Sequence, residues 1–351
     1  MALIQLNNVS LRGISAAIPK QSQEVKGLPF FSDEEACKFI AGTGVERRRL
    51  VEEGVTTSDL CYRAAEQLLA EMNWQRDEVD CLIFVSQTPD YILPATSCML
   101  QERLKLREGL VAFDISLGCS GWVYGLFIMS NLLSGGQLKK GLLLVGDTIS
   151  KTCSTDDKST YPLFGDAGTA TALEFDPQSQ GFKFHLAADG SGAKAIIIPD
   201  GGYRNQYNVN SIHKTTDAEG ISRTPSDLIL DGMNVFSFGI SKAPESINLL
   251  ASHFVIDLET VDYFLFHQAN KFMNEKIRKK LKIPADKVPY TLKDYGNTSS
   301  ATIPFTFSKE LGEIARAGKL CYIACGFGVG LSWGSVWFST DCLICPAIIE
   351  V

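Results

Sequence analysis

Cys119, His267 and Asn297 are the residues whose types and settings suggest chemistry. Cys119 sits where an apolar strand gives way to a long uncharged helix, in FDISLGCSGWVYGLFIMSNLL. A thiol near a helix's first turn feels roughly half a positive charge from the unpaired N–H groups there. That field favours the thiolate, which is the nucleophilic form. The small neighbours Gly118, Ser120 and Gly121 leave room for a carbonyl to approach the sulfur. From this segment alone a buried core cysteine is the alternative reading.

His267 ends an apolar strand in DYFLFHQAN, so its ring emerges at the strand's carboxyl end, where open α/β sheets bind ligands. A structural histidine is the alternative there. His185, His213 and His253, the others of the four, lie in no comparable context. Asn297 lies in YGNTSSATIPF, where a glycine turn precedes small residues that start a helix. Cys, His and Asn together suit acyl transfer followed by carbanion formation. The thiolate attacks a thioester and holds the acyl group, dividing one hard step into two. Decarboxylating a malonyl thioester then puts negative charge on its oxygen, which an imidazole N–H and an amide N–H stabilise. Asn donates without ionising, whereas a carboxylate would repel that charge. The acyl-enzyme carbonyl needs a second set of donors, most simply backbone N–H groups brought close by the glycine-rich turn GFGVG (326–330).

The elements that must position these residues repeat once along the chain. AAEQLLAEMNWQRDEVDCLIFVSQ (64–87) resembles ESINLLASHFVIDLETVDYFLFHQ (245–268), and KKGLLLVGD (139–147) matches GKLCYIACGF (318–327). Each has helix-period apolar residues, a polar turn, then Val-Asp and an apolar strand. Self-similarity at half the chain length predicts a duplicated α/β unit. Short apolar runs alternating with amphipathic helices predict largely parallel sheets covered by helices. Two such sheets would share a helical layer, for which the all-apolar helix after Cys119 is the candidate. The boundary falls near residue 175, giving halves 1–175, with the cysteine, and 176–351, with His and Asn. The segment from Asp200 to Thr224 reads as a long polar loop, either a functional lid or disordered.

Composition excludes several classes. A 351-residue chain with 45% apolar and 21% charged residues has ample material for a large core. A net charge of −7 argues against general nucleic-acid binding. Ten scattered cysteines, and no secretory pattern in MALIQLNNVSLRG, point to a reducing cytoplasm. Zinc at Cys321, Cys325, Cys342 and Cys345 is disfavoured, because the first pair lies in a strand-like run. The uncharged stretches Ile115–Leu138 and Leu320–Phe338 lack the flanking anchors of a membrane span. They read as a buried helix and as two strands around a glycine turn. GFGVG leads into strand-like LSWGSVWF, so it is no dinucleotide fingerprint.

CSGWVYGL around Cys119, LFGDAGTATAL (163–173), HQANKFMNEKIRKKL (267–281), YGNTSSATIP (295–304) and GFGVGLSWGS (326–335) resemble the β-ketoacyl-acyl-carrier-protein synthase III enzymes of the thiolase superfamily. The resemblance runs from about residue 10 to 338, in family order. It implies a thiolase-like duplicated αβαβα five-layer sandwich and a cytoplasmic homodimer. It also implies Cys119 as nucleophile, His267 and Asn297 as the enolate-stabilising pair, and backbone N–H groups of Cys119 and Val329 as the acyl oxyanion hole. The implied reaction condenses an acyl-coenzyme A or acyl-carrier-protein thioester with malonyl carrier protein. No bound cofactor, metal, nucleic acid or membrane is implied.

Departures from the family pattern point to a specialised lipid or secondary-metabolite pathway. Lys38 and Lys158 stand where typical members clamp the adenine of coenzyme A with tryptophan and arginine. Phe272 takes the place of an arginine after HQAN, beside Lys271. Val329 replaces a glycine, so its N–H serves only if φ is negative there. Tyr295 stands where many relatives have histidine. The 200–224 segment and the tail STDCLICPAIIEV are longer than usual. Lys271, Lys276, Arg278, Lys279, Lys280 and Lys282 crowd one helix, a docking face for an acidic carrier protein or simply a solvated surface. Arg47, Arg48 and Arg49 form a second cluster, neutralised by Glu46, Glu52 and Glu53. Ile92 and Leu93 are expected to reach the partner subunit's acyl pocket. Two other readings remain: acyl transfer to an amine or hydroxyl with His267 as general base, and a non-catalytic partner of a paralogous synthase.

Overall fold

The computed structural model describes residues 2–351. The first half builds a six-stranded sheet in the order Ile349–Glu350, Val9–Ile18, Ala167–Phe175, Lys140–Asp147, Cys81–Val85, Val111–Ile115. The second builds five strands in the order Ala2–Leu6, Phe182–Ala188, Ser332–Asp341, Lys319–Gly328, Tyr263–Phe266. Equivalent strands pair with equivalent sense: Cys81–Val85 runs parallel to Lys140–Asp147, and Tyr263–Phe266 parallel to Lys319–Gly328. The repeated Val-Asp has a physical role in both copies. Asp80 accepts the N–H of Lys139 (2.6 Å) and Lys140 (3.1 Å), and Asp262 accepts that of Cys321 (2.7 Å). Each aspartate thus aligns the start of the next parallel strand.

The Gly121–Leu133 helix has no charged residue and packs on both sheets at once. Trp122, Val123, Leu126 and Met129 share one core with Ile83 and Val145 of the first sheet and Phe184, Leu265 and Val336 of the second. Fully burying each large apolar side chain stabilises the fold by about 1.5–3 kcal/mol, which explains a helix apolar all round. Ile303, Phe307 and Leu311, in the helical turns after Thr302, complete this middle layer. The Thr57–Met72 and Thr96–Arg103 helices cover the outside of the first sheet, and Gly232–Phe254 and Lys271–Lys280 the outside of the second. Five layers result, α/β/α/β/α. No helix among the described residues is long and apolar enough to cross a membrane.

Three features differ from the sequence expectation. Both chain ends cross the divide drawn at residue 175. Ala2–Leu6 pairs with Phe182–Ala188 in the second sheet, and Ile349–Glu350 lies beside Ala17 and Ile18 in the first. The tail is held by Ile14 N–H on Ile344 O and Val351 N–H on Ile18 O, so its extra length covers a sheet edge. The 200–224 segment is also built, not irregular throughout. Thr215–Thr216 pairs with Ser222–Arg223, and Arg223 is tied to the buried carboxylate of Asp157 at 2.6 Å. Of the arginine cluster, Arg48 is fully buried over the ring of Tyr161, and donates to Phe164 O.

Candidate active site

Cys119 lies just before Ser120, which opens the Gly121–Leu133 helix and bridges to Ser332 of the other half (Oγ to Oγ, 2.7 Å). The hairpin of Lys319–Gly328 with Ser332–Asp341 brings Gly328 against the cysteine. A Cβ built on Gly328 would lie 2.6 Å from the Cys119 sulfur, so only glycine fits. The next residue, Val329, does not have a positive φ, and its N–H is close enough to the sulfur to favour the thiolate. Val329 therefore keeps the donor that a glycine would supply.

The sequence HQANKFMN resolves into parts with separate tasks. His267 follows the Tyr263–Phe266 strand and donates its N–H to Cys325 O (2.9 Å). Gln268 is buried and donates to Phe266 O. Asn270 caps the Lys271–Lys280 helix, its Oδ1 accepting the Met273 N–H at 2.8 Å. Asn274, from the helix's first turn, donates to His267 O at 3.0 Å. The imidazole ends up 2% exposed, edge-on to Phe327.

Asn297 is oriented by the turn that follows it. Its Oδ1 accepts the Ser299 N–H at 2.9 Å. That backbone group can only donate, so the amide's orientation is settled, and Nδ2 is left as a donor without a partner among the described residues, on the cavity that Asn297 lines. Ser299 adopts φ 51°, a left-handed conformation that costs a non-glycine residue roughly 1–2 kcal/mol. The turn is joined to the first half where Ser300 N–H donates to the buried carboxylate of Asp147 (3.1 Å), which also accepts from Ser86 Oγ and Gln87 N–H.

Cys119, His267, Asn297, Ser299, Gly328 and Val329 border one cavity of about 290 Å³. Burial decides the protonation states within it. The Cys119 thiol is pushed up to about 12 by burial, which outweighs the Val329 N–H, its own N–H and the Ser299 hydroxyl. The nearby Asp147 charge acts in the same direction as burial. The expected thiolate is thus corrected: burial outweighs the donors around the sulfur, which keeps its proton in the resting site. Burial also lowers His267, to about 3, so its imidazole is neutral. His267 Nδ1 lies 2.8 Å from Thr302 Oγ1, whose single proton is also within reach of Ser299 O (3.0 Å). With that proton on Ser299 O, Nδ1 carries the ring proton and Nε2 is a base. With it turned onto Nδ1, Nε2–H becomes a donor. Sequence reading missed Thr302 and Ser299, whose only signal was a run of small polar residues, and Gln87, set opposite Gln268 at the ends of the two repeat copies.

The basic helix divides. Lys271, Lys276, Lys279, Lys280 and Lys282 are exposed. Arg278 is instead paired with Glu275 (2.7 Å) and donates to Ile283 O, so its charge is spent locally. Lys38 is exposed and paired with Glu34 at 2.7 Å. Tyr295 packs edge-on to Phe305, away from the cavity lining. Among the described residues no three His, Cys, Asp or Glu side chains converge on a metal-sized site.

Two stacked sheets sharing a buried helix, with a cysteine at its start, define an acyltransferase of the thiolase fold. Family models of 3-oxoacyl-(acyl-carrier-protein) synthase III match here, the C-terminal one over residues 254–340 and the other over 113–190. The chain is 32% identical over 341 residues to a putative 3-oxoacyl-(acyl-carrier-protein) synthase 3 of Campylobacter jejuni, covering 94% of each. It is 32% identical over 361 residues to a β-ketoacyl-(acyl-carrier-protein) synthase III of Rhodopirellula baltica, covering 95% of this chain and 99% of that one. The crystal structure of a 3-oxoacyl-(acyl-carrier protein) synthase from Burkholderia xenovorans LB400 superposes with a TM-score of 0.94 at 37% identity, covering 100% of this chain and 99% of that one. The chain belongs to the 3-oxoacyl-(acyl-carrier-protein) synthase III family and is an enzyme of its condensing acyltransferase class.

Proposed function

We propose that the chain catalyses a decarboxylating Claisen condensation through an acyl-Cys119 intermediate, with malonyl carrier protein as extender. The observation that carries this reading is the convergence of Cys119, His267 and Asn297 on one cavity. The sulfur attacks the acyl thioester as its proton passes to His267 Nε2, and from there to the departing thiolate. Malonyl thioester then enters, and its carbon–carboxylate bond breaks to release carbon dioxide. The electron pair spreads onto the thioester oxygen, where Asn297 Nδ2 and His267 Nε2–H donate. The enolate carbon attacks the acyl-Cys119 carbonyl, whose oxygen faces the N–H groups of Cys119 and Val329. Collapse frees the 3-oxoacyl thioester and a thiolate, which takes up one proton. Thr302 serves both roles of His267 by turning its hydroxyl.

The acyl donor is a coenzyme A or carrier-protein thioester. Lys38 offers no aromatic face for adenine, in keeping with a specialised pathway. The carrier protein docks on Lys271, Lys276, Lys279 and Lys280 in the cytoplasm, Arg278 being withdrawn. A homodimer is supported by the unpaired edge of the Val111–Ile115 strand and by Tyr91, Ile92 and Leu93, the last two 74% exposed. Incubation with malonyl carrier protein and an acyl thioester is expected to release carbon dioxide and give a 3-oxoacyl product. No release from folded protein ends the condensation reading.

A further inference from the structure

The wall of the cavity before Cys119 is mainly apolar, with Ile149, Leu163, Phe164, Leu228, Leu230 and Val235 among its residues. Its polar groups can be accounted for in turn. Thr152 donates to Ile149 O at 2.8 Å. Asn270 caps its helix through Oδ1, and Ser116 lies exposed at the end of its strand. His267, Asn297 and Ser299 are grouped with the sulfur. Gln87 is left over. Its backbone N–H is fixed to Asp147 at 2.8 Å, yet its side-chain amide makes no hydrogen bond to any described residue. A Cβ built on Gly118 would lie 2.4 Å from Gln87 Oε1, so the amide stands over the residue directly before the nucleophile.

An amide open to the cavity can be hydrated. A purely hydrocarbon acyl chain would expel that water and return no hydrogen bond, whereas a chain with an oxygen there would replace it. We propose that the acyl group carried by Cys119 bears a hydroxyl or carbonyl oxygen within its first few carbons, and that Gln87 recognises it. The amide offers a donor to a carbonyl and both donor and acceptor to a hydroxyl. This rests on the acyl-Cys119 reading and adds the substrate class to it.

The test uses the full chain and three four-carbon thioesters, butyryl, 3-hydroxybutyryl and 3-oxobutyryl, each on coenzyme A and on carrier protein. Intact mass followed over time gives the rate of acyl loading on Cys119. At least one oxygenated chain is expected to load about tenfold faster than butyryl or more, as one neutral hydrogen bond allows. Gln87→Leu, similar in volume, is expected to remove that preference. If butyryl loads as fast as both oxygenated chains, the polar-chain proposal falls while acyl-Cys119 stands. A preference that survives Gln87→Leu overturns the role of Gln87. Should that variant not fold, the wild-type comparison decides alone. Folded protein that loads no thioester, acetyl included, removes the acyl-Cys119 reading and this proposal together.

Discussion

The two halves place different chemistry on the same architecture. In each, a Val-Asp pair precedes a strand whose carboxyl end meets the middle of the molecule. In the first half that strand leads to Ser86 and Gln87, held by Asp147. In the second it leads to His267 and Gln268, held by Asn274 and Phe266 O. The first half adds Cys119 from a neighbouring strand-to-helix corner, and the second adds Asn297. Duplication therefore supplied two equivalent strand ends facing one cavity. On the proposed mechanism one half holds the nucleophile and the Gln87 amide, and the other the proton-handling and enolate-stabilising groups. Chemistry that splits into acyl holding and enolate formation suits a scaffold that splits the same way.

That division of labour is open to direct test. Cys119→Ala is expected to abolish acyl loading, at least about a thousandfold by intact mass, while malonyl decarboxylation persists. Asn297→Ala is expected to lower decarboxylation about a hundredfold or more, while Cys119 still loads. If both variants lose both partial reactions equally, the halves do not divide the chemistry.

A second test concerns the resting protonation state. With the thiol raised to about 12, the thiolate fraction of the free enzyme grows tenfold for each unit of pH below that value. Iodoacetamide labelling of Cys119 is therefore expected to rise about tenfold per unit from pH 6 to 9. A plateau near neutrality would mean that the helix field wins over burial. His267, lowered to about 3, stays neutral over the same range, so its protonation should add no step.

Thr302→Val removes the hydroxyl beside His267 Nδ1 but keeps the β-branched shape. Decarboxylation is expected to fall about tenfold, one hydrogen bond's worth, and Thr302→Ser to restore most of it. Unchanged decarboxylation in the valine variant would separate Thr302 from the imidazole's work. The smallest expected effect is at the surface. Lys279→Glu with Lys280→Glu should raise KM for carrier-bound malonate about three- to tenfold at low salt, shrinking as salt screens the charges. An unchanged KM would move the docking face elsewhere.

The sequence by itself determined the repeat, the strand-and-helix order, and the three side chains offered to the cavity. Those features rest on periodicity and on short runs whose local chemistry is self-contained: Val-Asp before a strand, an asparagine cap after HQA, glycine beside a thiol. The apolar helix after Cys119 could be assigned to the centre because no surface tolerates it. Tertiary structure alone decided the rest. The chain ends exchange sheets because the open edges lie far from the residues that cover them in sequence. Arg278 is withdrawn from the basic face because Glu275 and Ile283 O reach it once the helix is packed. The thiol's proton was likewise beyond local reading. A helix terminus acts over one turn, but burial is set by every element around the sulfur, and here burial outweighs the donors beside it.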